Sequence, residues 1–137
     1  MDYEIDDDLT KDETEYVQQK LIEFADRLTT PRNYRELGVA LRDSEGNAVG
    51  GITASTVWDW LQIGILWIPE EIRGRGYGSQ LLERIEQLGR ECDCRYARLN
   101  TFDFEARGFY EARGYRVVRQ TDDFPSGHTQ FHLTKEL

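Results

Sequence analysis

Residues 73–79 read Arg-Gly-Arg-Gly-Tyr-Gly-Ser, and residues of these types at this spacing can capture an anion. Gly74, Gly76 and Gly78 let the backbone turn tightly and let a ligand come close. A helix follows from about Gly76 to Glu91, with Leu81, Leu82, Ile85 and Leu88 as its apolar stripe. The first N–H groups of a helix have no intrahelical partner. No Asp or Glu stands between Gly74 and Leu82; Glu83 is the first. That gap leaves the positive end of the helix dipole to an outside anion, and Arg73 and Arg75 add charge beside it. The loop lacks G-K-[ST], which excludes a nucleoside-triphosphate P-loop, and its alternate glycines depart from G-x-G-x-x-G. Taken alone, the same residues also suit a tight strand-to-helix turn with no ligand.

The loop needs a scaffold on both sides. Leu61–Ile68 reads as a strand whose apolar run suggests burial on both faces, and Pro69 ends it. Upstream, Thr10 and Glu13 have the spacing of a capping box. Tyr16, Val17, Leu21, Phe24, Ala25 and Leu28 then recur at helical spacing until Pro31. Strands are expected at Tyr34–Arg42 and Ala48–Ser55, and a short one at Asp2–Ile5. Gly50 and Gly51 weaken the second of these unless backbone or ligand must come close there. Downstream, Arg95–Thr101 reads as a strand and Phe104–Arg113 as a short helix. Tyr115–Arg119 and Thr129–Leu133 read as a closing hairpin. The short early turns make the first strands antiparallel neighbours. The strands flanking the central helix should be parallel, through a right-handed crossover. The expected fold is α+β, with a mixed, mostly antiparallel sheet in a single domain of residues 1–137.

Composition narrows the function. The chain has 137 residues with net charge −9, against the basic balance of a nucleic-acid binder. An acidic surface favours a cationic substrate such as an amine, and it equally serves solubility. No apolar run approaches the ~20 residues of a membrane span. The acidic start MDYEIDDDLT is no secretory signal, which points to the cytoplasm. Cys92 and Cys94 provide too few ligands for a structural zinc site and are expected as reduced thiols.

The stretch LWIPEEIRGRGYGSQLL, residues 66–82, resembles the signature of the GNAT superfamily of acyl-CoA-dependent N-acyltransferases. That signature, [Q/R]-x-x-G-x-[G/A], follows a strand and opens a helix; here it is Arg73, Gly76 and Gly78. A second motif of the family, F-Y-x-x-x-G-[F/Y], matches GFYEARGY at residues 108–115. The resemblance covers nearly the whole chain. It implies the GNAT-like sheet with a splayed parallel strand pair, and acetyl-CoA as cosubstrate. The pyrophosphate would lie on the N–H groups of Arg75, Gly76, Tyr77, Gly78 and Ser79, within the loop Arg73–Ser79 that includes Gly74. The pantetheine arm would pair with backbone near Leu66, Trp67 and Ile68. The activity implied is N-acetyl transfer to a primary amine of a small acceptor by direct attack. The alternative is a catalytically weak CoA-binding or regulatory domain. Homodimers are common in the family, and no residue of this sequence demonstrates one.

By its place in the second motif, Tyr110 corresponds to the family's general acid. A tyrosine stays protonated at neutral pH and can donate to a departing thiolate; the bland role for the same residue is packing. The general base stays open among Asp59, Gln62, Asp122, Asp123, His128 and water. Where many members carry Asn, this chain has Asp103, and an acidic group there would repel a polyanionic cofactor.

Overall fold

The computed structural model describes residues 2–137. These fall into two compact units, one ending at Arg32 and the other spanning Asn33–Leu137.

The first unit holds helix α1, Lys11–Asp26. Its start is the expected capping box: Glu13 N–H donates to Thr10 Oγ1 at 3.2 Å, and Thr10 N–H donates to Glu13 Oε1 at 2.9 Å. Two otherwise orphaned donors are thereby satisfied. No residue of α1 is buried. The strand expected at Asp2–Ile5 does not form, and Tyr3 and Ile5 are exposed.

The second unit is a six-stranded sheet in the order β1-β2-β3-β4-β6-β5. Its strands are β1 (Arg35–Arg42), β2 (Ala48–Val57), β3 (Trp60–Trp67), β4 (Tyr96–Phe102), β5 (Arg116–Asp122) and β6 (Thr129–Glu136). Helix α2, Tyr77–Glu91, crosses from β3 to β4, and the single-turn α3, Arg107–Glu111, leads into β5. All neighbouring pairs are antiparallel except β3–β4, as expected of a crossover helix.

One face of the sheet makes the core. Ile52, Leu61, Ile63, Ala97, Leu99 and Leu133 pack with Leu81, Leu82 and Ile85 of α2. Strand alternation puts Arg98 and Asn100 of β4, and His132 of β6, on the other face. Gly50 and Gly51 mark close backbone approach. A Cβ at Gly50 would lie 2.5 Å from the Trp67 carbonyl oxygen, and one at Gly51 would lie 2.7 Å from that of Val39.

The core also holds a charge that apolar periodicity does not reveal. Glu86 of α2 is 4% exposed. It accepts from Tyr115 Oη at 2.7 Å and from Lys135 Nζ at 3.0 and 3.1 Å. Burying a carboxylate is costly unless it is paired in this way.

One expectation for β3 is corrected. Its apolar run is not buried on both faces throughout: Ile65 is 66% exposed and Trp67 51%. The reason lies in the sheet. The β3–β4 ladder runs only from Trp60↔Tyr96 to Gln62↔Arg98, and beyond it the strands part. The apolar end of β3 lines the opening instead of an interior.

Candidate active site

A β-bulge begins the opening. Between Ile52↔Leu66 and Ala54↔Ile63, two residues of β3, Gly64 and Ile65, face one of β2. Thr53 Oγ1 accepts from Ile65 N–H at 2.9 Å. A side chain at Gly64 would meet that hydroxyl, since its Cβ would lie 2.7 Å away. Ile65 N–H and the Trp67 carbonyl both turn toward β2. Backbone alternation therefore turns the N–H and C=O of Leu66 toward the gap. These groups lack a partner strand, and an extended ligand can supply one.

The gap continues into a cleft of about 860 Å³. One wall is Gly64–Ile68 and another is the loop, through Arg73, Gly74, Gly76, Tyr77, Gly78 and Ser79. Asn100, Thr101, Phe104–Ala106, Phe109, Tyr110 and Arg113 close the far side. The cofactor-binding residues expected from the sequence therefore lie together, with two refinements. Arg75 is not in the lining, and its guanidinium lies 3.5 Å from the Glu71 carbonyl oxygen. Arg73 donates from Nε to the Ile68 carbonyl at 2.8 Å, and its guanidinium lies 4.9 Å from the centre of the Trp67 ring. Arg73 thus ties the loop to the end of β3, and the Ile68 carbonyl is already engaged.

Gly76 is the N-cap of α2 at φ 88°, and Gly74 has φ 79°; both angles favour glycine. No side chain caps α2, and no acidic residue stands in its first turn. Those N–H groups and the bare glycines form a cradle that suits a pyrophosphate. A Cβ at Gly74 or at Gly76 would meet nothing within 4 Å.

Tyr110 is buried on the core side of the cleft, edge-on to Phe109 and Tyr115. Burial, and secondarily the Glu105 carboxylate, push its hydroxyl up to about 12. It is therefore neutral and able to donate a proton across the physiological range.

Two cleft residues escaped the sequence reading. Arg113 donates from Nε to Ser79 Oγ at 2.8 Å and from Nη1 to the Phe109 carbonyl at 2.9 Å, which holds a cation beside the start of α2. Glu105 accepts from Phe102 N–H at 3.0 Å. The GFYEARGY motif contains Arg113, but only the fold shows that it reaches Ser79.

Asp103 is turned away from the cleft. Its carboxylate takes His128 Nδ1 at 2.9 Å and Thr129 N–H at 3.1 Å, anchoring the β5–β6 loop. The repulsion expected of an acid at this position is thereby avoided, and Asn100 lines the cleft instead. Among the open base candidates, Asp122 accepts from Gln120 and Thr129, and Asp123 from Gly127 N–H. Neither of these, nor His128, Asp59 or Gln62, lines the cleft.

Comparison with known proteins agrees with this architecture. The model of the acetyltransferase (GNAT) family matches residues 3–115. Blasticidin-S acetyltransferase of Streptomyces morookaense is 40% identical over 93 residues, covering 67% of this chain and 68% of that one. The crystal structure of an acetyltransferase from Bacillus cereus superposes with a TM-score of 0.92 at 35% identity, covering 98% of both chains. A Bacillus anthracis structure in complex with acetyl coenzyme A shares the fold, with a TM-score of 0.67 at 16% identity over 80% of this chain and 65% of that one. The chain belongs to the GNAT family and is an acyl-CoA-dependent N-acetyltransferase.

Proposed function

We propose that this protein transfers an acetyl group from acetyl-CoA to a primary amine of a small, antibiotic-like molecule by direct attack on the thioester. One observation carries the reading. The β3–β4 ladder stops at Gln62↔Arg98, and the resulting gap opens into a single cleft with the bare start of α2 at one end and Tyr110 beside it. In this reading the pyrophosphate rests on the N–H groups of Gly76–Ser79, near Arg113. The extended arm pairs with Leu66, whose N–H polarises the thioester carbonyl. The amine nitrogen bonds to that carbonyl carbon, the carbon–sulfur bond breaks, and Tyr110 protonates the departing thiolate. The antibiotic class follows from the likeness to blasticidin-S acetyltransferase, and a net charge of −9 suits a cationic acceptor.

The test measures free thiol released from acetyl-CoA against a panel headed by blasticidin S, with other antibiotics, polyamines, amino acids and peptides behind it. Thiol release and a product heavier by one acetyl group with an antibiotic support the reading. Turnover confined to peptides or amino acids overturns the acceptor class. No thermal stabilisation by CoA overturns the cofactor site.

A further inference from the structure

Two residues past the last β3–β4 bridge, Asn100 stands where the strands part, and it lines the cleft. Across the β4–β6 ladder its partner is His132, and His132 Nδ1 is hydrogen-bonded to Asn100 Oδ1. A carboxamide oxygen only accepts, so the ring donates from Nδ1 and its lone pair sits on Nε2. Asn100 thereby selects the tautomer that leaves Nε2 basic. His132 and Tyr110 also lie on opposite sides of the sheet: Tyr110 is in the core with α2, while His132 alternates with the core residues Phe131 and Leu133. His132 itself stands outside the cleft lining, on the neighbouring strand behind Asn100, so a thioester held in the gap would have Tyr110 on one face and, on the other, this imidazole next to Asn100.

We propose that His132 is the general base of the transfer, its Nε2 taking a proton from the acceptor's ammonium group as the amine enters from the face opposite Tyr110. The assignment rests on the acetyl-transfer reading above. The ammonium gives one proton to Nε2, and the freed lone pair forms the carbon–nitrogen bond. The carbon–sulfur bond breaks, and the thiolate takes the hydroxyl proton of Tyr110. The second proton of the former ammonium restores Tyr110 through solvent, and His132 releases its own to bulk water. The products are the acetamide, free CoA thiol and one proton.

The surroundings keep this imidazole neutral. The charged groups facing it are Arg98 from β4 and Arg119 from β5. Partial burial first, and then these two cations, lower its pKa below the ordinary value of 6.5. Arg98 Nε, on the same face, is buried and without a hydrogen-bond partner among the described residues.

The test uses the full chain with acetyl-CoA and blasticidin S, or the panel amine that turns over in its place. His132→Asn and His132→Gln should keep CoA-induced thermal stabilisation while kcat/KM at pH 7.5 falls by about 100-fold. Wild type should show an acidic limb with its midpoint below about 6.5, and both variants should lose it. Their deficit should shrink toward the amine's own pKa, where solvent does the deprotonation. His128→Asn should keep the limb. The sequence has only two histidines, so ¹⁵N spectra of the labelled imidazoles report the His132 tautomer directly. An Nε2–H tautomer, or variants with wild-type rate and pH profile, overturn the assignment alone. CoA binding without turnover of any amine overturns the acetyl-transfer reading and this assignment with it.

Discussion

Arg113 and Ser79, 34 residues apart in the chain, are joined by a hydrogen bond of 2.8 Å from the guanidinium Nε to the hydroxyl. The bond ties the turn that follows α3 to the first turn of α2. It also keeps a cation beside N–H groups that lack intrahelical partners. Arg113→Ala should therefore raise the KM for acetyl-CoA by about 10-fold, in line with the loss of one charge-assisted contact. kcat should change little. Initial rates at varied acetyl-CoA concentration check the split.

Gly76 and Gly78 fail differently when substituted. Gly76 has φ 88°, so Gly76→Val carries backbone strain of roughly 1–2 kcal/mol and crowds the N–H cradle. At Gly78 the backbone is helical, but a Cβ would lie 3.3 Å from the Phe109 ring, beside Tyr110. Both Gly76→Val and Gly78→Val should fold and lose CoA-dependent thermal stabilisation. Only Gly78→Val should also disturb the aromatic packing, which near-UV circular dichroism reads.

Tyr110→Phe should lower kcat by about 100-fold while CoA affinity holds. With its hydroxyl pushed up to about 12, turnover that depends on Tyr110 as acid should persist to pH 10. The same shift acts on stability. The folded-state pKa lies above the unfolded value of about 10, so this contribution is complete below pH 10 and is lost between about pH 10 and 12. Between pH 9 and pH 11 the urea midpoint of wild type should fall relative to that of Tyr110→Phe, which lacks the ionisable hydroxyl. A kcat for Tyr110→Phe equal to wild type at every pH would remove Tyr110 from the acid role.

Lys135→Ala should be the most destabilising surface-reachable change. It leaves the Glu86 carboxylate, 4% exposed, with only the Tyr115 hydroxyl for company. Losing one partner of a buried pair costs about 3 kcal/mol, or on the order of 10 °C in Tm for a chain of this size. Lys135→Ala with Glu86→Gln should recover part of it. Differential scanning calorimetry of the single and double variants decides.

Much of the scaffold was legible because its signals are local. The Thr10–Glu13 box, the stripe Leu81–Leu82–Ile85 and the glycines at Gly74 and Gly76 each act within a turn or two of chain. The short early turns made the first strands antiparallel, and the crossover helix made β3 and β4 parallel. The apolar run of β3 misled at its end, because apolar residues that line a ligand gap look like apolar residues in a core. Asp103 misled for a related reason: its partners His128 and Thr129 stand 25 and 26 residues away.

The sequence by itself determined that α2 would start uncapped and glycine-bounded, free of acidic residues, with Arg73 before it and Tyr110 downstream. Periodicity, dihedral preference and charge spacing suffice for that, since each is a property of neighbouring residues. Only the tertiary structure decided where the β3–β4 ladder stops. It likewise decided that Arg113 reaches Ser79, that Glu86 is buried on Tyr115 and Lys135, and that His132 lies across from Asn100. These are matters of strand register and long-range packing. A shift of one residue in strand register would send Asn100, His132 and Lys135 to the other face of the sheet.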